Sequence, residues 1–354
     1  MLDLKIQGPL EVPADPFYSM SQHSTIFIPM FQRGWHTRAV LEGLTQKFHP
    51  TSIHIASLPD QINALDSQVS NWNCAPVHFY DENYFFDAEI NSKSSLCKKI
   101  ESLPTLYQAG WFYQQLLKLG CQETIPQLTD WTLVWDSDLI PLTGWPSTLE
   151  GVPATALLQH KSKGNPKIVA SWRSWIEDHL EVKPVEDSVA TFIPHHMWFY
   201  RPAILELLNC FRSRSQSGWQ TAILETLNTH SSFSEFWSVA SWMAAKFPSK
   251  FAYHPYDLAG SSTERFFDDG RGKLSNYFKN WLSEQGISND PYPSYKNLLM
   301  CMDYAYNSSQ DSIPSSLSLE ANVRHIDKLE ENRHLEEVRS RWLVRDCDRE
   351  SLGV

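Results

Sequence analysis

The stretch Thr132-Leu-Val-Trp-Asp-Ser-Asp138 decides the fold class that the sequence indicates. It is an apolar run of strand length that passes directly into acidic residues. Before it, short apolar runs alternate with amphipathic segments. The predicted strands are Thr25–Phe31, Ser52–Ser57 and Pro76–Asp81, and the predicted helices are Thr37–Phe48, Asp60–Val69 and Leu96–Leu119, the last broken near Pro104. This alternation predicts an α/β fold with a mostly parallel, twisted sheet flanked by helices.

The second half of the chain is less regular. The predicted strands are Ala154–Gln159, Val189–Ile193, Met197–Tyr200 and Lys250–Tyr253, and the predicted helices are Pro202–Phe211, Gly218–Leu227 and Phe233–Phe247. We expect one domain over residues 1–255 and a mostly helical extension over residues 256–354 that packs on it. Asn307–Pro314 resembles a linker, and an apolar stripe from Leu319 to Trp342 follows on a highly charged segment. We expect this helix to pack on its own domain or on a second copy of the chain, with peripheral docking on a membrane as the alternative.

Composition excludes several classes of protein. The 354 residues carry 30 Lys and Arg against 41 Asp and Glu, a net charge of −11, and 42% are hydrophobic. The hydrophobic fraction excludes wholesale disorder, and the acidic balance argues against a nucleic-acid binder. Six cysteines show no CxxC spacing, and no apolar run approaches the ~18 residues needed to cross a bilayer. We therefore expect reduced thiols in a cytoplasmic protein without a leader peptide or transmembrane segment.

Asp136 and Asp138 are the sharpest chemical feature. They follow a predicted buried strand, and in an open parallel sheet ligands bind beyond the carboxyl ends of the strands. Two carboxylates at this spacing supply oxygen ligands to Mn²⁺ or Mg²⁺, which we expect as the cofactor. The alternative is that they only shape the turn after the strand.

The segment Gly110-Trp-Phe-Tyr-Gln-Gln-Leu-Leu-Lys-Leu-Gly120 carries three polar residues within one helical turn. They are Gln114, Gln115 and Lys118, and Gln114 and Lys118 share a helix face. Lys118 is predicted to steady a phosphate or pyrophosphate as a point charge. The alternative is an ordinary solvated helix face.

Ile193-Pro-His-His-Met-Trp-Phe-Tyr200 contributes candidate substrate contacts. Neighbouring residues of a strand point to opposite faces, so at most one of His195 and His196 reaches a given site. Trp198 is one of 14 tryptophans, whose indole faces stack on sugar rings. Polar residues at a strand bend and ordinary core packing are the alternatives.

Glu235 is the candidate catalytic residue. A glutamate at a helix start beside a pocket is well placed to accept a proton from a hydroxyl nucleophile. Ser232 and Glu235 also match an S-x-x-E capping box, which explains the glutamate without catalysis.

Three residues near the end of the predicted α/β domain complete the candidate set. His254 is a candidate third metal ligand. Arg271 and Lys273 lie in Gly270-Arg-Gly-Lys273, a flexible stretch with two cations suited to a departing diphosphate. The alternative for this stretch is a solvated surface loop.

The ordered motifs resemble a bacterial family of predicted GT-A-type glycosyltransferases, domain-of-unknown-function family 6492. The matching landmarks are Gly110–Lys118, Leu133–Asp138, Pro194–Phe199, Trp219–Glu225 and Phe233–Phe236, within approximately residues 24 to 255. This resemblance implies a GT-A-like fold in which Asp136 and Asp138 hold Mn²⁺ or Mg²⁺ against a nucleoside diphosphate. It also implies that the end of the first strand, Phe31 to Arg33, lies by the nucleotide. Where such relatives often show an aspartate shortly after this strand, the chain reads Gln32-Arg33-Gly34.

The implied reaction is transfer of a sugar from a nucleotide sugar to a glycan or other hydroxyl acceptor, in bacterial surface-glycan or glycoconjugate synthesis. Lys118, Arg271 and Lys273 are expected to support the departing diphosphate. Glu235 is the candidate base if the reaction inverts the anomeric centre, and it orients the acceptor if the reaction retains it. A metal-dependent phosphohydrolase or nucleotidyltransferase and a non-catalytic carbohydrate-binding protein are the alternatives.

Overall fold

The computed structural model describes residues 24–86, 89–103, 108–142, 147–158, 166–228, 232–256, 263–266, 268–287, 290–309, 314 and 316–319. The strands are β1 (Ser24–Met30), β2 (Ser52–Ser57), β3 (Val77–Asp81), β4 (Trp131–Trp135), β5 (Leu139–Pro141), β6 (Thr148–Leu149), β7 (Val152–Ala156), β8 (His196–Tyr200), β9 (Ala252–His254), β10 (Thr263–Phe266) and β11 (Ser316–Leu319). The helices are α1 (Thr37–Phe48), α2 (Pro59–Val69), α3 (Lys93–Glu101), α4 (Ala109–Thr124), α5 (Pro166–Leu180), α6 (Arg201–Arg212), α7 (Trp219–Leu224), α8 (Glu235–Lys246), α9 (Asp268–Glu284) and α10 (Tyr295–Ser309).

The central sheet has five strands in the order β3-β2-β1-β4-β8. The first four are parallel, and β8 runs antiparallel to β4 at one edge. Parallel neighbours need crossover connections, and the helices between β1, β2, β3 and β4 supply them. The predicted α/β class, with a mostly parallel sheet flanked by helices, is confirmed.

The central strand β1 explains how a proline fits inside a sheet. All seven residues of β1 are buried, as expected for a strand covered on both faces. Pro29 has no N–H to donate to a neighbouring strand. It lies where β1 pairs with β2 alone, because the pairing with β4 ends at Phe27.

Helices cover both faces of the sheet and form two hydrophobic clusters. One face packs against α1, α2, α9 and α10, and Trp135 of β4 is fully buried in that cluster. The other face packs against α3 to α8, and Val134 of β4 belongs to that cluster. Because side chains alternate along a strand, a residue placed just after Trp135 faces the α4 and α8 side.

Those parts of the chain after residue 255 that the structure describes contact the α/β body. Helix α10 contacts α1, and Tyr295, Leu298 and Met302 are buried in the same cluster as Trp135. Strand β11 pairs with β5 and β10. Leu319, expected in a charged helix, therefore lies in a strand, and the rest of that predicted helix falls outside the described residues. Helix α10 extends to Ser309, into the predicted linker. No helix in the described ranges combines the length and apolar character needed to span a membrane.

Three local predictions were wrong or incomplete. Val189–Ile193 is not a strand, because the Asp187 carboxylate accepts the N–H groups of Val189 and Ala190 and holds a turn there. Residues 166–180 form a helix that the sequence analysis did not identify. Gly270-Arg-Gly-Lys273 is helical backbone at the start of α9, not a flexible loop.

The thiol prediction is confirmed for the described cysteines. Cys74, Cys97, Cys121, Cys210 and Cys301 are free. Burial raises the pKa of the Cys74 thiol to about 11, so it stays protonated near neutral pH.

Candidate active site

Asp136 follows the last residue of β4 and faces the α4 and α8 side of the sheet. The turn after the strand is held by a hydrogen bond from the Leu139 N–H to the Asp136 carbonyl, and the Trp135 indole N–H donates to the Leu139 carbonyl at 2.7 Å. These bonds fix the backbone on both sides of Asp136. The carboxylate is thus held at the carboxyl edge of the sheet.

Lys118 of α4 lies between two carboxylates. Its Nζ is 2.6 Å from Oδ1 of Asp136 and 2.7 Å from Oε1 of Glu235, and the lysine side chain is only 4% exposed. The ammonium also lies 4.3 Å from the centre of the Phe236 ring, within cation–π range. The structure therefore joins three predicted site residues from α4, β4 and α8 in one buried network.

The charges of this network fix its protonation state. Burial alone would lower the pKa of Lys118, but the charges of Asp136 and Glu235 raise it well above its ordinary value. Burial alone would raise the pKa of Asp136, but Lys118 and His195 hold it below its ordinary value. Lys118 is consequently charged and Asp136 ionised near neutral pH.

His195 approaches Asp136 from the residue before β8. Its Nδ1 lies 3.2 Å from Oδ2 of Asp136, and its carbonyl accepts the Asp136 N–H at 2.9 Å. The His195 backbone has φ 61°, in the left-handed region that non-glycine residues rarely occupy. Such backbone strain clusters at functional sites, where the surrounding structure enforces it.

Asp136, Asp138 and His195 form a group able to hold a metal ion. One ligand atom from each lies within 4.8 Å of the others. Ligand atoms on one ion with bonds of about 2.1 Å lie at most about 4.2 Å apart, so a small closing movement suffices. Two carboxylates and an imidazole suit Mn²⁺ and are acceptable to Mg²⁺. A divalent cation bound there would add positive charge beside the carboxylates of Asp136 and Asp138.

Glu235 is the first residue of α8, and its N–H is accepted by Oε1 of Gln115 at 3.0 Å. The predicted capping box is not formed. The residue before the helix is Ser234, not Ser232, and no side chain of that residue caps the helix. Ser232 Oγ has no hydrogen-bond partner within the described residues. The Glu235 carboxylate instead pairs with Lys118, so its position is set by α4.

The adjacent histidines have different environments. His196 is fully buried: its Nδ1 lies 2.9 Å from the Pro194 carbonyl, and its Nε2 accepts the Ala156 N–H at 3.3 Å. Burial lowers the pKa of His196 to about 4, so the ring is neutral. Trp198 is also buried, in edge contact with Phe48 of α1. The structure brings His195 to the acidic site and packs His196 and Trp198 in the core.

Residues after β1 lie at the same edge of the sheet. Phe31 is 65% exposed, and Lys93 Nζ lies 5.7 Å from the centre of its ring. Arg33 donates to Tyr292 Oη at 2.9 Å and to Gln61 Oε1 at 3.0 Å, which ties the loop after β1 to α2 and to the segment before α10. Gln114 is half-buried, with Nε2 3.5 Å from the Pro29 carbonyl.

His254 does not belong to the Asp136 group. It ends β9, which pairs with β7 in a separate sheet, and the possible metal ligands that the described residues bring together are Asp136, Asp138 and His195. Arg271 and Lys273 lie in the first turns of α9, and their side chains fall outside the described residues. His195, predicted as a substrate contact, is not recognisable as a potential metal ligand from the sequence, because nothing in a single sequence shows that β8 is the neighbour of β4.

The comparisons with known proteins find only distant structural similarity. No protein-family model and no curated protein sequence matches the chain. Among solved structures, mouse xyloside xylosyltransferase 1 in its apo form shares 10% identity, with 84% of this chain and 98% of that chain covered and a TM-score of 0.41. An active-site mutant of LgtC shares 11% identity, with 89% and 95% covered and a TM-score of 0.40. The chain is similar to these two structures at a level that describes architecture only.

Proposed function

We propose that this protein is a metal-dependent glycosyltransferase that moves a sugar from a nucleoside-diphosphate sugar to a hydroxyl acceptor. The observation that carries the proposal is the Asp136–Asp138–His195 group at the carboxyl end of β4, next to the buried Lys118–Glu235 pair. A cation-binding group at a sheet edge suits a diphosphate, and a second carboxylate beside it suits a hydroxyl or an anomeric carbon.

Asp136, Asp138 and His195 would hold the ion, Mn²⁺ or Mg²⁺. When bound, such an ion supplies Lewis-acid stabilisation of the charge that develops on a departing diphosphate. His195 takes the place proposed earlier for His254, since its ring already lies against Asp136. The backbone bonds around Asp136 keep its carboxylate in one orientation before any ligand arrives.

Glu235 is the proposed catalytic residue. Its N–H is held by Gln115 and its carboxylate by Lys118, so the side chain has a defined orientation at the start of α8. In an inverting reaction Glu235 would take the acceptor proton, and in a retaining reaction it would orient the acceptor or stabilise positive charge at the anomeric carbon.

Further assignments follow from the ordered motifs. We assign Phe31, Arg33 and Gln114 to the nucleotide-sugar site and the chain to the GT-A-type family named above. Gln115, the other candidate on α4, is buried and holds the Glu235 N–H instead. We also assign residues 1–255 to the catalytic domain, with the later segment packed on it. A cytoplasmic location, action in bacterial surface-glycan synthesis and a homodimer through the C-terminal helix are parts of the same hypothesis.

A thermal-shift panel tests the donor. The chain is heated with individual nucleotide sugars in the presence of MnCl₂, and again with EDTA. A ligand that binds only the folded protein stabilises it by RT ln(1 + [L]/Kd), and the apparent melting temperature rises accordingly. We expect one nucleotide class to stabilise the protein and EDTA to abolish the effect. Equal shifts with all compounds, or none, would contradict the proposal.

Product analysis with Asp138→Ala tests the reaction. The wild-type chain should release a nucleoside diphosphate from its donor with Mn²⁺. Release of phosphate or pyrophosphate instead would indicate a phosphohydrolase or nucleotidyltransferase. Asp138→Ala should lose at least about 100-fold in turnover if the ion supplies transition-state stabilisation. The exposed Asp60→Ala on α2 is the matched control, with unchanged turnover. Full metal-independent turnover by Asp138→Ala would rule out the assignment.

A further inference from the structure

The Lys118 ammonium is engaged by two carboxylates inside the protein. A lysine ammonium has three N–H groups and no acceptor. Two contacts of Nζ are with carboxylate oxygens, at 2.6 Å and 2.7 Å, and the Phe236 ring lies 4.3 Å away. The side chain is 4% exposed. A group with these contacts and this burial is poorly placed to reach a diphosphate.

Gln115 lies one helical turn before Lys118 on the same face of α4. Its Oε1 accepts the N–H of Glu235, while Lys118 Nζ binds the carboxylate of the same residue. Helix α4 therefore holds Glu235 at two points, the main-chain nitrogen and the side-chain oxygen. We call this pair, Gln115 and Lys118, the α4 clamp.

The α4 clamp also links Glu235 to Asp136. Because Lys118 Nζ lies 2.6 Å from one carboxylate oxygen and 2.7 Å from the other, these two oxygens are no more than 5.3 Å apart. The Asp136 carboxylate, 16% exposed, and the buried Glu235 carboxylate repel each other at this separation, and the shared ammonium offsets that repulsion. The cation thus sets the distance between the proposed ion-binding carboxylate and the proposed catalytic one.

We propose that Gln115 and Lys118 are positioning residues that act through Glu235, and that Lys118 does not contact the diphosphate. This inference rests on the proposed function for its kinetic consequence, but the clamp itself is a property of the protein alone. It replaces the phosphate-contact role that the sequence suggested for Lys118. It also gives the Gln115-Leu-Leu-Lys118 spacing a physical reason, since both residues must reach the first residue of α8.

The kinetic test is a double-mutant cycle of Lys118→Met and Glu235→Gln on kcat/KM with the donor found by thermal shift. Glu235→Gln should lose about 1,000-fold and Lys118→Met about 100-fold, in the range for a positioned acid–base group. If Lys118 acts through Glu235, the double variant should stay within about 3-fold of Glu235→Gln. A loss near the product of the two, about 100,000-fold, would overturn the proposal.

Nucleotide affinity separates positioning from phosphate contact. The probe is UDP or GDP with MnCl₂, whichever the wild-type chain binds in calorimetry. Lys118→Met should keep the affinity within about 3-fold while kcat falls, because a positioning residue is felt in the transition state. A loss of affinity of about 30-fold or more with unchanged kcat would overturn the proposal. Gln115→Met should give the same pattern as Lys118→Met, with a smaller loss.

A stability cycle tests the clamp without any activity. In urea unfolding, Glu235→Gln should lower the midpoint in the wild-type background, because it weakens a buried ion pair. In the Lys118→Met background the same change should raise the midpoint, because it removes an unpaired buried charge. The same lowering in both backgrounds would overturn the proposal. Lys118→Arg, which keeps the charge, covers the case in which Lys118→Met fails to fold.

The matched control is Lys99→Met on α3. Lys99 Nζ lies 2.9 Å from an oxygen of Glu225, which is 55% exposed, so this pair is a surface one. It should change none of the three measurements. Absence of any donor cleavage by the wild-type chain would contradict the proposed function, whereas the stability cycle would still decide whether the clamp exists.

Discussion

Two buried glutamates on opposite faces of the sheet differ in how their charge is matched. Glu42 lies on α1 with a side chain 3% exposed, and Glu235 begins α8 with a side chain 6% exposed. Glu42 accepts from Arg38 at 2.8 Å and from the N–H groups of Asn73 at 3.1 Å and Tyr295 at 2.8 Å. Glu235 shares one ammonium with a second carboxylate.

The difference separates a structural carboxylate from a candidate catalytic one. Glu42 receives hydrogen bonds on both oxygens, two of them from backbone N–H groups, and it ties α1 to the start of α10, although its partner Arg38 is shared with Asp290. The side-chain oxygen of Glu235 that the structure shows in contact meets a lysine that also reaches Asp136, beside the Asp136–Asp138–His195 group. Burial alone therefore does not identify function, and the neighbours of the buried group distinguish the two glutamates.

The largest expected effect is on Glu235. Glu235→Gln should reduce sugar transfer by about 1,000-fold, equivalent to about 4 kcal/mol of transition-state stabilisation, because the carboxylate charge is removed where the reaction occurs. Initial rates with the identified donor check this. Glu42→Gln is the matched change on the other face and should leave kcat near the wild-type value. Equal losses of kcat in both variants would remove the distinction between the two glutamates.

The second prediction is that Glu42 contributes strongly to the free energy of unfolding. Glu42→Gln places an amide N–H₂ against N–H donors that the carboxylate accepted, and we expect a loss of about 3 kcal/mol in the free energy of unfolding. Urea denaturation at neutral pH measures it. Glu206→Gln, an exposed glutamate on α6, is the control and should stay within about 0.5 kcal/mol. A loss for Glu42→Gln no greater than for this control would show that its partners contribute little.

Replacement of His195 tests whether this residue is a ligand of the proposed metal site. His195→Ala should weaken Mn²⁺ binding to the protein without nucleotide by about 10- to 100-fold, as expected for losing one of few protein ligands. Electron paramagnetic resonance of free Mn²⁺ measures the binding. His254→Ala is the matched histidine change and should leave the affinity unchanged. The reverse result would assign the third ligand to His254 and contradict the site described above.

The smallest expected effect is the contribution of His54 to the pH dependence of stability. Like Glu42, His54 is a buried residue with a structural role. It is fully buried in β2, with Ser52 Oγ at 2.8 Å from Nε2 and Tyr80 Oη at 2.9 Å from Nδ1. Burial, with a contribution from the charge of His78, lowers the pKa of His54 to about 4. Its ordinary value is about 6.5, so the unfolded chain binds the proton first as pH falls.

The stability that His54 contributes is therefore present above about pH 6.5 and is lost as the pH falls towards 4. Between pH 7 and pH 5 the free energy of unfolding should drop by about 2 kcal/mol through this residue. Urea midpoints at the two pH values check it. His54→Gln should flatten this part of the profile, and an unchanged slope in that variant would assign the pH dependence elsewhere.

Much of the first half of the fold was predictable, because periodicity reports which face of an element is buried. Thr37–Phe48 and Ser52–Ser57 match the observed helix and strand in their bounds. The acidic end of β4 was also predictable, since an apolar run passing into aspartates indicates a sheet edge. Helix α5 was missed, although Trp172, Trp175 and Ile176 are buried on it.

The contacts within the site could not be predicted, because they depend on which strands and helices become neighbours in the fold. No local pattern places β8 beside β4, so His195 was not recognised as the partner of Asp136. The S-x-x-E pattern at Ser232 suggested a cap, but Gln115 from a distant helix takes the N–H that such a cap would use. At the site, the contacts that hold Glu235 and Asp136 come from residues far away in the sequence, and such contacts are the hardest to predict from local patterns.

The left-handed backbone at His195 restricts what natural variation can do there. Glycine enters this region freely and asparagine more readily than most residues, whereas β-branched residues do so at high cost. A relative of this chain that carried asparagine at this position would keep the backbone and offer an amide oxygen in place of a ring nitrogen. We expect such a change to move metal preference towards harder cations such as Mg²⁺ or Ca²⁺. At the proposed metal site, a single backbone angle thereby limits which side chains can stand beside Asp136.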